Sequence, residues 1–287
     1  MNAPHFDPAR MPQPLLTVIV PVYNEGPTVE RILQRILDAP YPDKEIIVVD
    51  DGSDDDTAAV LKRWGGHPSI LVLRHPRNRG KGAAVRTGLD RASGAITLIQ
   101  DADLEYDPAD WPSLIEPICC GETQVVYGSR YLRPARPLPW NKFRLAVCLL
   151  NLLVRLLYGR RLSDEATCYK ALPTALFRAL DLQANRFELC AEITAKVCRL
   201  HVTLLEVAVS YQPRTIKEGK KIGWRDAWST IWTLLKWRFL PLPRLGCIPA
   251  RPLLGCRDWT TEQHDDRATQ QPAEKDRIAR LSHHSLS

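Results

Sequence analysis

Short apolar runs alternate with amphipathic segments through the first hundred residues of the chain. Compact runs rich in β-branched residues occur at 16–20, 45–49, 70–73 and 96–99. Continuous apolar runs of this length, bounded by turn residues, are typical of strands buried on both faces of a parallel sheet. Helical periodicity fills the intervals at 28–37, 57–64 and 83–92. This alternation predicts βαβ units, and therefore an α/β fold with a mostly parallel sheet flanked by helices.

The pattern changes after Arg130. A loop rich in proline and arginine covers 133–139, and a long helix is predicted over 141–158. Shorter helices at 174–180 and 188–200, a strand at 203–209 and a tryptophan-rich amphipathic helix at 224–239 follow. The predicted organisation has four parts: a flexible N-terminus (1–14), a βαβ part (15–129), a part with amphipathic helices (130–240) and a polar, flexible tail (241–287).

Composition indicates a folded globular protein, since 45% of the 287 residues are hydrophobic and 25% are charged. The net charge of +6 conceals a strong asymmetry. Residues 1–129 carry 12 basic against 19 acidic residues, whereas 130–161 carry eight basic residues and no acidic one. Residues 196–244 carry ten basic against three acidic residues. The net negative charge of residues 1–129 argues against nucleic-acid binding, and the basic residues are concentrated in the segments 130–161 and 196–244.

Cysteine spacing and hydropathy set the expected compartment. None of the eight cysteines forms a C-x-x-C pair, which argues against a zinc site or a thiol redox motif. The cysteines fit a cytoplasmic, reducing compartment best. The first 14 residues lack the apolar segment of a signal peptide. The longest apolar stretch, 145–158, is interrupted by Asn151 and Arg155 and is too short to cross a bilayer. We expect a protein without a transmembrane span that lies peripherally on the cytoplasmic face of a membrane.

Acidic residues gather where three of the predicted strands end. The carboxylates that follow the first, second and fourth strands are Glu25, Asp50, Asp51, Asp54, Asp101, Asp103 and Glu105. Ligands bind open α/β sheets at the carboxyl ends of the strands, so this edge is the predicted site. Crowded like charges are costly unless a cation or hydrogen bonds offset them.

The Asp101-Ala102-Asp103 segment is the strongest metal candidate. In an extended segment the two carboxylates point to the same side, and Glu105 is a candidate third ligand. Such hard oxygen ligands suit Mg²⁺ or Mn²⁺ that also holds a diphosphate. The alternative is that such residues form helix caps and turns, and for Ser53 and Asp54 we expect capping of the helix that begins at Thr57.

A glycine-rich segment, Asn78-Arg-Gly-Lys-Gly82, precedes a predicted helix. It has Val85 where a dinucleotide fingerprint has its third glycine, and it lacks the Ser or Thr of a P-loop. Its place before a helix N-terminus still favours anions.

Five motifs in order resemble family 2 glycosyltransferases of the GT-A fold. They are Pro21-Val-Tyr-Asn-Glu25, Val49-Asp-Asp-Gly-Ser53, Asn78-Arg-Gly-Lys-Gly82, Asp101-Ala-Asp103 and Gly128-Ser-Arg130. Two later segments, at 164–170 and 214–226, resemble bacterial members of the dolichol-phosphate mannose synthase branch. The resemblance covers about residues 15–240 and implies a Rossmann-like, mostly parallel sheet with C-terminal amphipathic helices. It also implies that residues 15–129 bind the nucleotide-sugar donor and the metal and that residues 130–240 bind the acceptor.

The resemblance also implies roles for individual residues. Those at nucleotide-sugar positions are Pro21, Tyr23, Glu25, Val49, Asp51, Asp101, Ala102, Asp103, Arg130, Arg214, Lys220 and Lys221. Asp101 and Asp103 match metal and diphosphate ligands and, with Arg130, the catalytic positions. The position of Glu105 is Gln in some relatives. Arg130 and Arg144 match positions that meet the acceptor phosphate.

The expected function is inverting, metal-dependent transfer of a sugar from a GDP-mannose-type or UDP-glucose-type donor to a polyprenyl (dolichyl or undecaprenyl) phosphate. A phosphate acceptor is already anionic at neutral pH because its second pKa is about 6, so it needs cations more than a base. One alternative is transfer to a saccharide or lipid hydroxyl, with Asp164 or Glu165 as the base. Another is a non-catalytic nucleotide-sugar-binding protein.

The expected partners follow from this function: the nucleotide sugar, the lipid phosphate and a membrane surface. A homo-oligomer is left open. Basic residues beside Leu and Trp in the helices 141–158 and 224–239 suit an anionic membrane interface. The alternative is that both helices only pack on the sheet or on a second subunit.

Overall fold

The computed structural model describes residues 15–132, 142–214 and 224–242. The strands are β1 (Leu16–Val22), β2 (Lys44–Asp50), β3 (Ile70–Arg74), β4 (Ile96–Ile99), β5 (Val125–Ser129), β6 (Lys170–Pro173) and β7 (Leu204–Ala208). The helices are α1 (Gly26–Asp38), α2 (Thr57–Trp64), α3 (Lys81–Arg91), α4 (Trp111–Cys119), α5 (Lys142–Tyr158), α6 (Thr174–Ala179), α7 (Leu189–Arg199) and α8 (Trp224–Phe239).

The seven strands form one sheet in the order β3-β2-β1-β4-β6-β5-β7. The strands β1 to β4 pair in parallel, with Leu16 opposite both Lys44 and Ile96. The β5–β7 pair is also parallel, whereas β6 runs antiparallel to both β4 and β5. This register brings the carboxyl ends of β1, β2 and β4 together at one edge, as the sequence predicts for the acidic motifs.

Both faces of the sheet are buried, which explains why its central strands are apolar without alternation. On one face, Ile19 and Ile47 pack with residues of α3, α6 and α7. Val18 and Val48, which alternate with them, are also fully buried. A second apolar cluster joins α5, α7 and α8 around Val154, Leu234 and Trp237.

The five predicted strands and the predicted helices are present, with bounds shifted by one or two residues. The strands β5 and β6 and the helix α4 were not predicted. The β6 segment is only Lys-Ala-Leu-Pro and shows no period. In α4 the apolar residues Trp111, Leu114, Ile115 and Ile118 recur at helical spacing, but the prolines at 112 and 117 are unfavourable signals for a helix. The segments 15–129 and 130–240 both contribute strands to the one sheet.

The helices α5 and α8 pack together and leave one apolar side exposed. Leu149, Leu156, Trp228 and Trp232 are 57%, 73%, 68% and 60% exposed. Within the described residues no helix is long and apolar enough to cross a membrane. The predicted 1–14 and 241–287 segments lie almost entirely outside the described residues.

Gly88 brings α3 against β1. A Cβ at Gly88 would lie 2.6 Å from Ile19 Cγ2, inside van der Waals contact. We expect Gly88→Ala to lower the free energy of unfolding by about 1–2 kcal/mol, because overpacking outweighs the gain in helix propensity. Urea denaturation measures the change.

The matched control is Gly66→Ala, since a Cβ at Gly66 meets no atom within 4 Å. We expect that variant to stay within about 0.5 kcal/mol of the native protein. Equal stability of Gly88→Ala and the native protein would contradict close α3–β1 packing.

Candidate active site

One cavity of about 440 Å³ lies at the carboxyl edge of the sheet. The predicted site residues that line it are Pro21, Tyr23, Glu25, Asp51, Asp101, Ala102, Asp103, Glu105, Arg130, Arg144 and Arg214. The side chain of Val49 does not line the cavity, because it is fully buried in the hydrophobic core. Lys220 and Lys221 lie outside the described residues.

Basic side chains hold the carboxylates of this cavity. Lys81 Nζ, at the start of α3, donates to Asp101 Oδ1 at 2.5 Å. Arg214 Nη1 donates to Glu25 Oε2 at 3.0 Å, and its Nη2 lies 3.1 Å from Asp103 Oδ2. The Arg214 guanidinium therefore joins the end of β1 to the turn after β4.

The segment 211–214 is fastened to Glu105. Tyr211 Oη donates to Glu105 Oε2 at 2.8 Å, and the Arg214 backbone N–H donates to Glu105 Oε1 at 2.7 Å. The Gln212 N–H donates to the Glu105 carbonyl at 2.8 Å. Glu105 thus positions Arg214 over the cavity.

The two aspartates of the D-x-D motif differ in pKa. Burial raises the pKa of Asp103 to about 6, with the Asp101 and Glu105 charges adding and Arg214 opposing. Burial also pushes the pKa of Asp101 upward, but the Lys81 ammonium outweighs it and holds that pKa below its ordinary value. Asp101 to Asp103 form a turn instead of the predicted extended segment, yet all three residues face the cavity.

No three carboxylate, imidazole or thiol groups among the described residues are arranged to hold a metal ion. The predicted trio of Asp101, Asp103 and Glu105 is not assembled as a cluster, because Tyr211 and the Arg214 backbone engage Glu105. Asp101 and Asp103 instead form ion pairs with Lys81 and Arg214, respectively.

Asp51 organises the glycine-rich loop. Its carboxylate accepts hydrogen bonds from the Arg79 and Gly80 N–H groups at 2.9 and 2.6 Å. His75 Nδ1 lies 2.6 Å from Asp51 Oδ1, and His75 is buried. Gly80 has φ +97, and a Cβ there would lie 2.4 Å from the Asn185 carbonyl oxygen, so glycine is required.

The capping prediction for Ser53 and Asp54 is wrong. Ser53 Oγ accepts a hydrogen bond from the Asn24 N–H, and Asp54 Oδ1 accepts one from Asn24 Nδ2. Asp55 instead accepts the Thr57 N–H at 2.9 Å. Asn24 has φ +50, and these contacts hold the turn that follows β1.

Arg130 forms a paired contact with a buried aspartate. Its Nε and Nη2 each donate to one Asp164 oxygen at 2.7 Å, and its N–H donates to Asp164 Oδ2 at 3.0 Å. Asp164 is fully buried and is the counter-ion that orients Arg130 at the cavity wall.

Glu165 differs from Asp164. Both of its carboxylate oxygens are shielded from solvent, and neither has a hydrogen-bond partner in the described part of the chain. Burial raises the pKa of Glu165 to about 7; the Lys170 charge opposes this rise, whereas Cys190 and Asp164 add to it.

Residues 17–183 match the family profile described as Glycosyl transferase family 2. The chain belongs to this family. It is therefore a glycosyltransferase, which sets aside the alternative of a non-catalytic nucleotide-sugar-binding protein.

Two relatives with similar sequences are named as transferases that act on a polyprenyl phosphate. The chain is 26% identical over 234 residues to UDP-N-acetylglucosamine–dolichyl-phosphate N-acetylglucosaminyltransferase of Methanococcus voltae, covering 74% of this chain and 92% of the relative. It is 29% identical over 214 residues to undecaprenyl-phosphate mannosyltransferase of Micrococcus luteus, covering 71% and 86%.

The solved structure of glucosyl-3-phosphoglycerate synthase from Mycobacterium tuberculosis, in complex with Mn²⁺, UDP and phosphoglyceric acid, shares the fold. The TM-score is 0.61 with 22% identity, covering 79% of this chain and 80% of that one. The predicted GT-A fold is confirmed.

Several cavity residues of this family 2 glycosyltransferase were not predicted. Lys81 stands in a segment expected to favour anions, but its ion pair with Asp101 joins segments twenty residues apart. Cys168 and Cys190 line the cavity without any local motif. Burial opposes the fall in the pKa of Cys190, but the hydrogen bond with Cys168 dominates and lowers it to about 6.

The pH dependence of stability tests the environment of Glu165. The folded protein keeps the Glu165 proton up to about pH 7, whereas the unfolded chain releases it near the ordinary pKa of 4.5. The free energy of unfolding therefore falls as pH rises between these values. Glu165→Gln removes this titration, so its stability relative to the native protein should improve by up to about 3 kcal/mol from pH 5 to pH 8.

Urea denaturation at both pH values measures this difference, and Glu122→Gln, at an exposed carboxylate, is the control. A Glu165→Gln difference that is the same at pH 5 and pH 8 would show that Glu165 titrates normally.

Proposed function

We propose that this chain is an inverting, metal-dependent glycosyltransferase that moves a sugar from a nucleotide-diphosphate donor to a polyprenyl phosphate. The continuity of the cavity carries the proposal. It runs from Asp101 and Asp103, past Arg130 and Arg144, to the inner sides of α5 and α8. The same cavity therefore contains carboxylates that could hold a metal and the donor diphosphate, and guanidinium groups that could bind an acceptor phosphate. It also reaches the two helices that have an exposed apolar side.

The residues present fit a divalent cation. Mg²⁺ usually binds through one or two carboxylates and completes its coordination with substrate phosphates and water. Asp101 and Asp103 supply such a pair. Burial raises the pKa of Asp103 to about 6, and the negative charges of Asp101 and Glu105 add to this rise, so a cation at the pair would stabilise both carboxylates. When bound, Mg²⁺ or Mn²⁺ would neutralise the charge of the departing diphosphate.

The donor side is built from the first strand ends. Pro21, Tyr23 and Glu25 line the cavity beyond β1 and are proposed to meet the base and ribose. Asp51 fixes the Arg79–Gly80 backbone and so places the start of α3 at the cavity wall. Lys81 and Arg214, now paired with Asp101 and Asp103, are the cations nearest to the proposed diphosphate position.

The acceptor side supplies positive charge. Arg130 and Arg144 both line the cavity, and both guanidinium groups lie over the Tyr131 ring, 5.6 and 5.7 Å from its centre. A phosphate oxygen is already a nucleophile at neutral pH, so these groups need only orient it for in-line attack at the anomeric carbon.

A hydroxyl acceptor receives less support. Both oxygens of Asp164 are held by Arg130, and the carboxylate oxygens of Glu165 are shielded from solvent. A general base must come within hydrogen-bond reach of the proton that it removes. Transfer that survives Glu165→Gln but requires a lipid phosphate would exclude the hydroxyl alternative.

A donor screen tests the proposed reaction. The full chain is incubated with GDP-mannose, UDP-glucose or UDP-N-acetylglucosamine, a short polyprenyl phosphate, and Mn²⁺, Mg²⁺ or EDTA. We expect nucleoside diphosphate release that requires both the lipid phosphate and the metal. Asp103→Asn should reduce the rate about 100-fold or more, because electrostatic stabilisation of the leaving group is lost.

Asp56→Asn is the matched control, since Asp56 is exposed and its side chain caps nothing. Release that is independent of the lipid phosphate would favour a different acceptor. No release with any donor would overturn the proposed reaction.

We also propose that the exposed side of α5 and α8 lies on the lipid surface from which the acceptor enters. Leu149, Leu156, Trp228 and Trp232 form its apolar part. Arg155 and Arg238 are exposed beside them, and the only acidic residue on either helix, Asp226, is buried. Apolar side chains with neighbouring cations suit an anionic membrane interface.

Vesicle binding tests this surface. We expect Trp228→Ser/Trp232→Ser to weaken binding to vesicles of phosphatidylglycerol and phosphatidylcholine about tenfold or more, because the bilayer interface would no longer bury two exposed aromatic side chains. Co-sedimentation measures it. Leu71→Ser, at a half-exposed leucine on β3, should bind like the native protein. Equal binding by the double variant would contradict the proposed membrane-facing surface.

A further inference from the structure

His75 joins the donor side of the cavity to the middle of α3. It directly follows β3 and is buried. Its Nδ1 lies 2.6 Å from Asp51 Oδ1, and its Nε2 lies 2.9 Å from Thr87 Oγ1 on α3. Because a carboxylate only accepts hydrogen bonds, Nδ1 carries a proton and donates to Asp51. The imidazole therefore fixes the orientation of a carboxylate that lines the cavity.

The hydrogen bonds of Asp51 use most of its acceptor capacity. Its Oδ1 accepts from His75 Nδ1 and from the Arg79 N–H at 2.9 Å, so both lone pairs of this oxygen are engaged. Its Oδ2 accepts from the Gly80 N–H at 2.6 Å. No second donor among the described residues contacts Oδ2. Asp51 thus keeps one open acceptor position, and that position is on Oδ2.

Asp51 is the carboxylate on the donor side that a nucleotide base can approach. Glu25, the other carboxylate on this side, is held through both of its oxygens by the Arg214 guanidinium at 3.0 and 3.1 Å. No lysine or arginine side chain among the described residues pairs with Asp51. Uracil presents a single N–H between two carbonyl groups, whereas guanine presents two neighbouring N–H donors. One open acceptor position matches uracil, and guanine needs both carboxylate oxygens.

We propose that His75 is a positioning residue that limits Asp51 to one open acceptor and thereby selects uridine-diphosphate sugars over guanosine-diphosphate sugars. This inference rests on the proposed function, in which a nucleotide sugar binds at this edge of the sheet. A guanine would direct its second N–H at Oδ1, whose lone pairs His75 and Arg79 already use. A buried donor without a partner costs about tenfold or more in affinity. Removal of the imidazole frees one lone pair of Oδ1 and so weakens the selection.

Calorimetric titration of the full chain with UDP and with GDP, each with Mn²⁺, tests the inference without requiring transfer. The native protein should bind UDP about tenfold or more tightly than GDP. His75→Leu should bring the two affinities within about threefold of each other, whereas a merely structural defect would weaken both and leave their ratio unchanged. His75→Asn places an amide N–H near the Nδ1 position and should retain the preference for UDP. His75→Gln places its amide near Nε2 and repeats the test of His75→Leu where that variant does not fold.

His201→Asn is the matched control and should keep the native ratio. His201 is exposed and does not line the cavity, and its φ of +54 is one that asparagine adopts readily. Native protein that binds GDP as tightly as UDP would overturn the selection of uridine. A native ratio in both His75→Leu and His75→Gln would overturn the role of His75. A preference for UDP that depends on His75, found without any transfer to a lipid phosphate, would support this inference and contradict the proposed acceptor.

Discussion

Electrostatic repulsion between carboxylates at one edge of a buried sheet is the constraint on which the site depends. Parallel pairing of β1, β2 and β4 places their acidic ends side by side, and burial in a cavity strengthens the repulsion. Lys81 and Arg214 offset it in the structure described here. In the proposed reaction a cation and a diphosphate would replace these contacts, so the ion pairs that stabilise this edge of the sheet also hold its carboxylates in place for the proposed donor.

The same constraint explains the distribution of charge along the chain. Residues 1–129 supply the carboxylates, and basic side chains from later segments pack against the same edge of the sheet. Arg214, which lies 189 residues after Glu25 in the sequence, pairs with it, and Arg130 is oriented by Asp164. The net charge of +6 is therefore the remainder of an acidic edge and the basic segments that face it.

Local patterns predicted the strands β1 to β4, the helices between them and the clustering of acidic residues at their ends. They could not predict how each carboxylate is used. Asp51 and Asp54 follow the same strand, yet one holds the loop before α3 and the other binds Asn24. Such assignments depend on which distant backbone N–H arrives nearby, and periodicity carries no information on that.

The insertion of β6 between β4 and β5 accounts for most of what sequence analysis missed. Its four residues have no strand-like alternation, and tertiary pairing with two neighbours stabilises them. This late strand brings the preceding segment, with Asp164, Glu165 and Cys168, beneath the turn that holds Asp101. Because β6 runs antiparallel to β4, the residues that precede β6, and not those that follow it, lie at the carboxyl edge of the sheet. A carboxylate predicted as a base therefore becomes the counter-ion of Arg130, and a cysteine without a motif becomes a neighbour of the Lys81–Asp101 ion pair.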